Sequence, residues 1–259
     1  LAPPYLTVLQ GKGPEQRSYG GMVYDSQRRR TVLFGGEAYG VNPRSGNANV
    51  GYLISHDPWE GARRVWIKRN PATRPPAMTQ FGIAYDSVRG RTVVFGGYKY
   101  APPNFFNGSQ VVSNGVGEWD GINWTQITPP SSPTARTKPA MCFDSTRGEI
   151  LMLGGGLFSP SPPDYYLATK QLWAWNGTQW TQRTSMPNGN NAPYVGDEHC
   201  FAFDAARGVA VLFGPFSDGI NNVWEWDGAA WASRTPPSDL RVMETRQSRY
   251  AFYDPVRRR

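Results

Sequence analysis

Short apolar runs separated by polar, glycine-marked turns recur along the whole chain, and the recurrence is internal. Segments 22–36 (MVYDSQRRRTVLFGG), 81–97 (FGIAYDSVRGRTVVFGG), 140–155 (AMCFDSTRGEILMLGG) and 201–214 (FAFDAARGVAVLFG) are copies of one pattern. Each reads as an apolar strand, a turn opened by aspartate and a second apolar strand ending on glycine, which predicts a β-hairpin. The turn aspartates Asp25, Asp86, Asp144 and Asp204, with Asp254 in a partial fifth copy (YAFYDPVRRR), are spaced by 61, 58, 60 and 50 residues. A period of that length assigns one supersecondary unit to each copy. Gly90, Gly148 and Gly208 supply the positive φ such a turn demands.

A second hairpin follows in each unit: GEWDGINWTQ (117–126), LWAWNGTQWTQ (172–182) and VWEWDGAAWAS (223–233). Asp-Gly or Asn-Gly makes the turn, because both residue types tolerate left-handed backbone angles, and tryptophans five apart flank it. In the first unit this half is degenerate and ends around Trp66. Together the halves predict four antiparallel strands per unit, a to d.

This pattern resembles the kelch repeat. The residues that carry the resemblance are the double glycines closing strand b (Gly35/Gly36, Gly96/Gly97, Gly154/Gly155), the Tyr-Asp or Phe-Asp turn before them, and the tryptophan opening strand d. The fourth unit departs from it, with Gly214-Pro215 in place of Gly-Gly. The resemblance implies an all-β chain forming a kelch-type β-propeller of four-stranded antiparallel blades. Residues 17–70, 71–130, 131–185 and 186–236 are expected as four complete blades, 1–16 as strand d of a closing or preceding blade, and 237–259 as the start of another. Five or more blades are expected in all.

In such a blade the a–b and c–d turns share one face, and the b–c and d–a connections share the other. The b–c connections are long, running roughly over 37–51, 98–115 and 156–169. Long connections cost entropy and often carry function, so this second face is the expected binding surface. It holds Tyr39, Tyr98, Tyr100, Phe105, Phe106, Phe158, Tyr165 and Tyr166 beside several asparagines. Aromatic plates with amide donors suit sugars or protein side chains, while the plainer reading packs the rings against the rim. Arg17, Arg136 and Arg246 stand eight residues before their turn aspartates and Arg74 twelve before Asp86, where d–a loops enter strand a. Their guanidinium forks suit an acidic partner or, alternatively, carbonyls and carboxylates of the chain itself. Arg28, Arg89, Arg147 and Arg207, three residues after the aspartates, recur in every unit and read as structure.

Catalysis should break the repeat symmetry, and Asp197-Glu198-His199-Cys200 does so at the start of the fourth strand a. Strand alternation keeps these four from converging on one metal, leaving Glu198 or His199 as weak single acid–base candidates. Some kelch propellers are copper radical oxidases, but His56 and His199 are the only histidines and lie in different units. Two separated histidines supply too little nitrogen for copper(II), so no metal or cofactor is expected. Cys142 and Cys200, in strands a of neighbouring units, are expected as buried free thiols.

Ten tryptophans, 29 glycines and 23 prolines suit many short strands and turns. The net charge of +7 is spread singly or in turn clusters, without the basic stripe of a nucleic-acid surface. No stretch reaches the roughly 18 apolar residues of a membrane-crossing helix. Abundant Trp, Asn, Gly and Pro with few cysteines suggest a secreted or cell-surface setting, where the sequons at Asn107, Asn123 and Asn176 would matter. The function expected is non-catalytic binding or scaffolding that recognises a protein or glycan. The alternative is a carbohydrate-active enzyme, an oxidase or lyase, using the same face.

Overall fold

The computed structural model describes residues 13–41, 50–54, 57–62, 65–74, 76–100, 110–158, 166–187, 195, 199–215 and 221–234. The first repeat supplies β1 (Gly21–Asp25) and β2 (Arg30–Phe34), then a separate hairpin of β3 (Glu37–Val41) and β4 (Val50–Ile54), then β5 (Trp59–Ala62) and β6 (Val65–Lys68). The second contains β7 (Met78–Thr79), β8 (Gly82–Asp86), β9 (Arg91–Phe95), β10 (Tyr98–Tyr100), β11 (Gln110–Val112), β12 (Val116–Trp119) and β13 (Trp124–Ile127). The third repeats that plan with β14 (Arg136–Thr137), β15 (Ala140–Asp144), β16 (Glu149–Leu153), β17 (Gly156–Phe158), β18 (Tyr166–Ala168), β19 (Leu172–Trp175) and β20 (Trp180–Gln182). The fourth has β21 (Cys200–Asp204), β22 (Val209–Pro215), β23 (Asn221–Trp226) and β24 (Trp231–Arg234).

Each repeat forms one four-stranded antiparallel sheet: β1-β2-β5-β6, β8-β9-β12-β13, β15-β16-β19-β20 and β21-β22-β23-β24. The degenerate half of the first repeat is therefore a true hairpin, with Gly61 opposite Trp66. Among the described residues there is no helix, and so none long and apolar enough to cross a membrane. The turn aspartate works as the sequence implies. Asp86 Oδ1 accepts the backbone N–H groups of Val88 and Arg89, both at 3.0 Å, and Gly90 takes φ 66°. Arg29 occupies the glycine's place in the first repeat at φ 55°. In the second turn only the glycine is left-handed. Asp120 instead accepts the N–H groups of Ile122 and Asn123, and four residues separate the paired Trp119 and Trp124.

Successive sheets stack face to face in chain order, each pair closing over its own core. Val32, Phe34, Phe81, Ile83, Val94, Trp119 and Trp124 join the first to the second. Val93, Phe95, Met141, Ile150, Met152, Trp175 and Trp180 join the second to the third. Leu151, Leu153, Phe201, Phe203, Leu212 and Trp226 join the third to the fourth. The strands β1, β8, β15 and β21, each at one edge of its sheet, lie side by side in that order. This is an all-β architecture consistent with a β-propeller.

The double glycines do more than end a strand. Gly36, Gly97 and Gly155 donate their N–H, each at 2.9 Å, to the carbonyls of Met78, Arg136 and Val195, which lead into the next sheet. At Gly97, φ is 78° and a Cβ would stand 2.5 Å from the Thr79 carbonyl oxygen, so the position admits no side chain. Beyond the glycines the chain leaves the main sheet. β10 pairs with both β11 and the short β7, and β17 with both β18 and β14, giving small secondary sheets at the b–c edge.

Candidate functional site

The repeated charged residues form a structural staple between sheets. Arg28 bonds Asp25 at 2.6 Å and Glu60, and Glu60 Oε1 accepts the indole N–H of Trp119 from the next sheet at 3.2 Å. The second repeat copies it: Arg89 bonds Asp86 and Glu118, each at 2.7 Å, and Glu118 accepts the Trp175 indole at 3.2 Å. Burial alone would lower the Arg28 and Arg89 pKa values, but their carboxylate partners more than offset it and raise them. The third repeat has Ala174 where the others have glutamate. There Arg147 lies over the Trp226 ring at 5.2 Å and the Trp226 indole N–H has no acceptor. The fourth restores the pairing through Arg207 and Glu225 at 2.5 Å.

Of the loop arginines, Arg17 and Arg136 share one geometry. Nε donates to the carbonyl two residues earlier (3.1 and 3.0 Å), and Nη1 donates to the first glycine of the pair, Gly35 or Gly154, at 3.1 Å. Arg136 is 0% exposed, reaches Gln171 at 2.9 Å, and burial pushes its guanidinium down to about 10. Of the two roles its sequence position allowed, anchoring the backbone is the one the structure gives Arg136; a fully buried fork cannot grip a partner. Arg74 lies 3.6 Å from Asp57, and Arg246 is outside the described residues.

The aromatic candidates divide similarly. Tyr98 is 7% exposed and packs with Ala77 and Val112, so it holds down the base of the β10–β11 hairpin rather than facing solvent. Tyr39, Tyr100 and Tyr166 fall on β3, β10 and β18, where only the backbone is described, and Phe105, Phe106 and Tyr165 lie outside the described residues. Glu198 also lies outside them, while His199 is buried with Nε2 3.2 Å from the Leu153 carbonyl oxygen. Among the described residues no group of three His, Cys, Asp or Glu can hold a metal ion. Cys142 and Cys200 are buried and not joined in a disulfide, and burial pushes the Cys142 thiol up, away from the reactive thiolate.

What sequence reasoning missed is the cleft of about 320 Å³ between β1, β8, β15 and β21. At the lead-in end of these strands stand Tyr19, Gln80 and Lys138, each six residues before its turn aspartate, with φ of 57°, 58° and 55°. Backbone bonds link them across sheets: Gln80 N–H to the Tyr19 carbonyl at 3.1 Å and Lys138 N–H to the Gln80 carbonyl at 2.6 Å. The walls carry Met22 and Tyr24, 42% and 55% exposed, with Tyr85, Phe143 and Phe203. Burial and the neighbouring Asp25 push the Tyr85 phenol up to about 12, keeping it a neutral hydroxyl. The signal for this site lay in three unlike residues at one offset of the repeat.

No family model matches the chain, and no curated protein does. Among solved structures it is similar to a protein of unknown function from Dyadobacter fermentans, with a TM-score of 0.51 at 12% sequence identity. That likeness covers 85% of this chain and 68% of the other, and it extends to the fold alone.

Proposed function

We propose that this chain is a kelch-type β-propeller, four blades of a ring of five or more, acting as a non-catalytic binding or scaffolding module. It recognises a protein or glycan through the face bearing the b–c hairpins and d–a lead-ins, in a secreted or cell-surface setting. The observation that carries this reading is the inequality of the two ends of the sheets. At one end the described strands are joined by four-residue turns closed by their own aspartate or asparagine, such as Asp86 or Asn176, except for the two-residue connection from β5 to β6. At the other, the hairpins β3–β4, β10–β11 and β17–β18 grow out past the double glycines, and buried Arg136 and Tyr98 brace their bases. A chain that spends ordering entropy on elaborating only one end of a repeated scaffold places recognition there.

The test replaces residues 101–109 and 159–165 with Gly-Ser linkers and compares this protein with the parent on a glycan array and against the secreted protein fraction of the source cells. Binding lost on trimming, but kept when exposed turn residues Val88 and Ile122 at the opposite end become serine, supports the reading. Binding lost only with the turn substitutions overturns it.

A further inference from the structure

The second and third repeats place a cation at the same rung of their small secondary sheets, but on opposite strands. In the third, Arg136 on β14 stands opposite Leu157 on β17; in the second, Met78 on β7 stands opposite Lys99 on β10. Arg136 is met by the Thr134 and Gly154 carbonyls and by the Gln171 side-chain oxygen. Lys99 is treated differently. Among the described residues its side chain has no ion pair or hydrogen bond, and half-burial lowers its pKa with no carboxylate to offset it. The ammonium ends beside Gly115. A Cβ built on that glycine would stand 2.9 Å from Lys99 Nζ, 3.0 Å from Gln126 Nε2 and 3.2 Å from Ser113 Oγ, so three polar ends converge there. Each keeps a donor in hand. Gln126 Nε2 bonds the Val116 carbonyl at 2.7 Å with one of its two hydrogens. Ser113, 5% exposed, accepts the Gly115 N–H at 2.9 Å, and its hydroxyl proton has no acceptor among the described residues. Gly115 is not left-handed, and Gln171 holds the equivalent place in the third repeat, so the backbone does not require glycine. What requires it is the room that the three donors surround.

We propose that Lys99, Ser113 and Gln126 bind one small monovalent anion of the chloride class over the Gly115 Cα. Lys99 Nζ supplies the charge, and the second N–H of Gln126 and the Ser113 hydroxyl complete the shell. Of the three converging ends only Lys99 is charged. A single negative charge therefore balances it, whereas phosphate or sulfate would carry a second charge out of water without a partner. The anion does for Lys99 what the Gly154 carbonyl and Gln171 do for Arg136. It also ties β10 to Gln126 on β13, fastening the secondary sheet of the second repeat to its main sheet. The ion needs nothing from a recognition partner and binds whether or not the hairpins recognise one.

The experiment exchanges the full chain into sodium gluconate and replaces gluconate by chloride at constant ionic strength, following the chloride NMR line width and the calorimetric Tm. Line broadening is expected to saturate with a Kd on the order of 10 mM, and about 150 mM chloride should then raise Tm by about 3–6 °C relative to Lys99→Leu. Bromide should compete the broadening away and sulfate should not. Lys99→Leu carries the residue that Leu157 places at the same rung, and it should abolish saturable broadening. Gly115→Ala keeps every charge but sets a Cβ 2.9 Å from the flexible Lys99 end, so it should weaken chloride several-fold while near-ultraviolet circular dichroism stays unchanged. Broadening that is equal in the parent and both variants is general attraction to a chain of net charge +7 and overturns the proposal. So does displacement by sulfate as effective as by bromide, or broadening that does not saturate. Parent crystals soaked in bromide give a check that needs no variant: an anomalous peak over Gly115 within reach of Lys99 Nζ supports the site, and peaks elsewhere with none there overturn it.

Discussion

Replacing Glu118 by alanine should destabilise the protein by far more than a surface substitution, because one carboxylate serves two sheets. Its Oε1 accepts Nη1–H of Arg89 at 2.7 Å and the indole N–H of Trp175 at 3.2 Å. Trp175 is 0% exposed, so without an acceptor its N–H stays buried and unsatisfied, costing about 1–3 kcal/mol. Arg89 is treated differently. Its side chain is 26% exposed and also held by Asp86 at 2.7 Å, so solvent screens the loss to roughly 0.5–1 kcal/mol. The sum is about 1.5–4 kcal/mol, and for a domain of this size it should lower Tm by roughly 3–16 °C.

Urea unfolding and calorimetry measure this directly, and two companion variants identify the cause. Glu118→Gln keeps an acceptor for the indole and should cost only about 1 kcal/mol. Trp175→Phe removes the stranded donor, so Glu118→Ala in that background should cost about 1–2 kcal/mol less than in the parent. A loss below about 0.5 kcal/mol, or additive effects of Glu118→Ala and Trp175→Phe, would refute the shared-carboxylate argument.

Ala174→Glu supplies the third repeat with its missing acceptor for Trp226 and should raise stability by about 1 kcal/mol; a lower urea midpoint would count against it. Arg29→Gly relieves a left-handed arginine and should gain roughly 0.5–1 kcal/mol in the same assay. Gly97→Ala forces a Cβ to within 2.5 Å of the Thr79 carbonyl, so a loss above about 3 kcal/mol or failure to fold is expected, and near-neutral behaviour would refute the staple role of the double glycine. For pH, burial alone would raise the Asp25 and Asp204 carboxyls, but bonds from Arg28 and Arg207 more than offset it and hold both below the ordinary range. Their contribution is therefore complete above a carboxylate pKa of about 4 and is lost as pH falls through the lower folded values. Urea midpoints should stay flat from about pH 7 to 5 and decline below about pH 4; a maximum near pH 4 would contradict this.

The repeat made the main sheets legible because each hairpin is local. Asp-to-Gly turns and tryptophans five apart lie within one short window, so their pairing needs no knowledge of distant chain. The secondary sheets were not legible for the opposite reason. Met78–Thr79 and Arg136–Thr137 are two-residue strands whose partners lie about twenty residues on, and two residues carry no period to read. The staple was half legible. The recurrence of Arg28, Arg89, Arg147 and Arg207 marks them as structural without naming their partners. The recurring Glu-Trp pairs at 118–119 and 225–226 were the available sign that a carboxylate of strand c is the true partner for Arg89 and Arg207. The loop arginines stay open between two roles in the sequence because it fixes where a guanidinium starts and not whether a carbonyl 18 residues on will capture it, as Gly154 captures Arg136.

Repetition itself separates scaffold from site here. Where repeats keep both residue and geometry, as all four do at Asp86 and its counterparts and the first three do at the glycine pairs, the geometry needs that residue and selection by a ligand need not be invoked. Where geometry is kept and the residue varies, the backbone is indifferent to the choice and something outside it decides. Tyr19, Gln80 and Lys138 are that second case: one left-handed bend repeated, three chemistries, one cleft. Ala174 tests the logic from the other side, since it is a changed residue inside the staple and leaves the Trp226 indole without an acceptor. The changed residue in the staple thus shows as a lost hydrogen bond, whereas the changes on the rim keep the backbone bonds from Gln80 to Tyr19 and from Lys138 to Gln80 intact. On the rim the left-handed bend is carried by main-chain bonds that any of the three side chains leaves in place, which is why the residue there can change while the geometry does not.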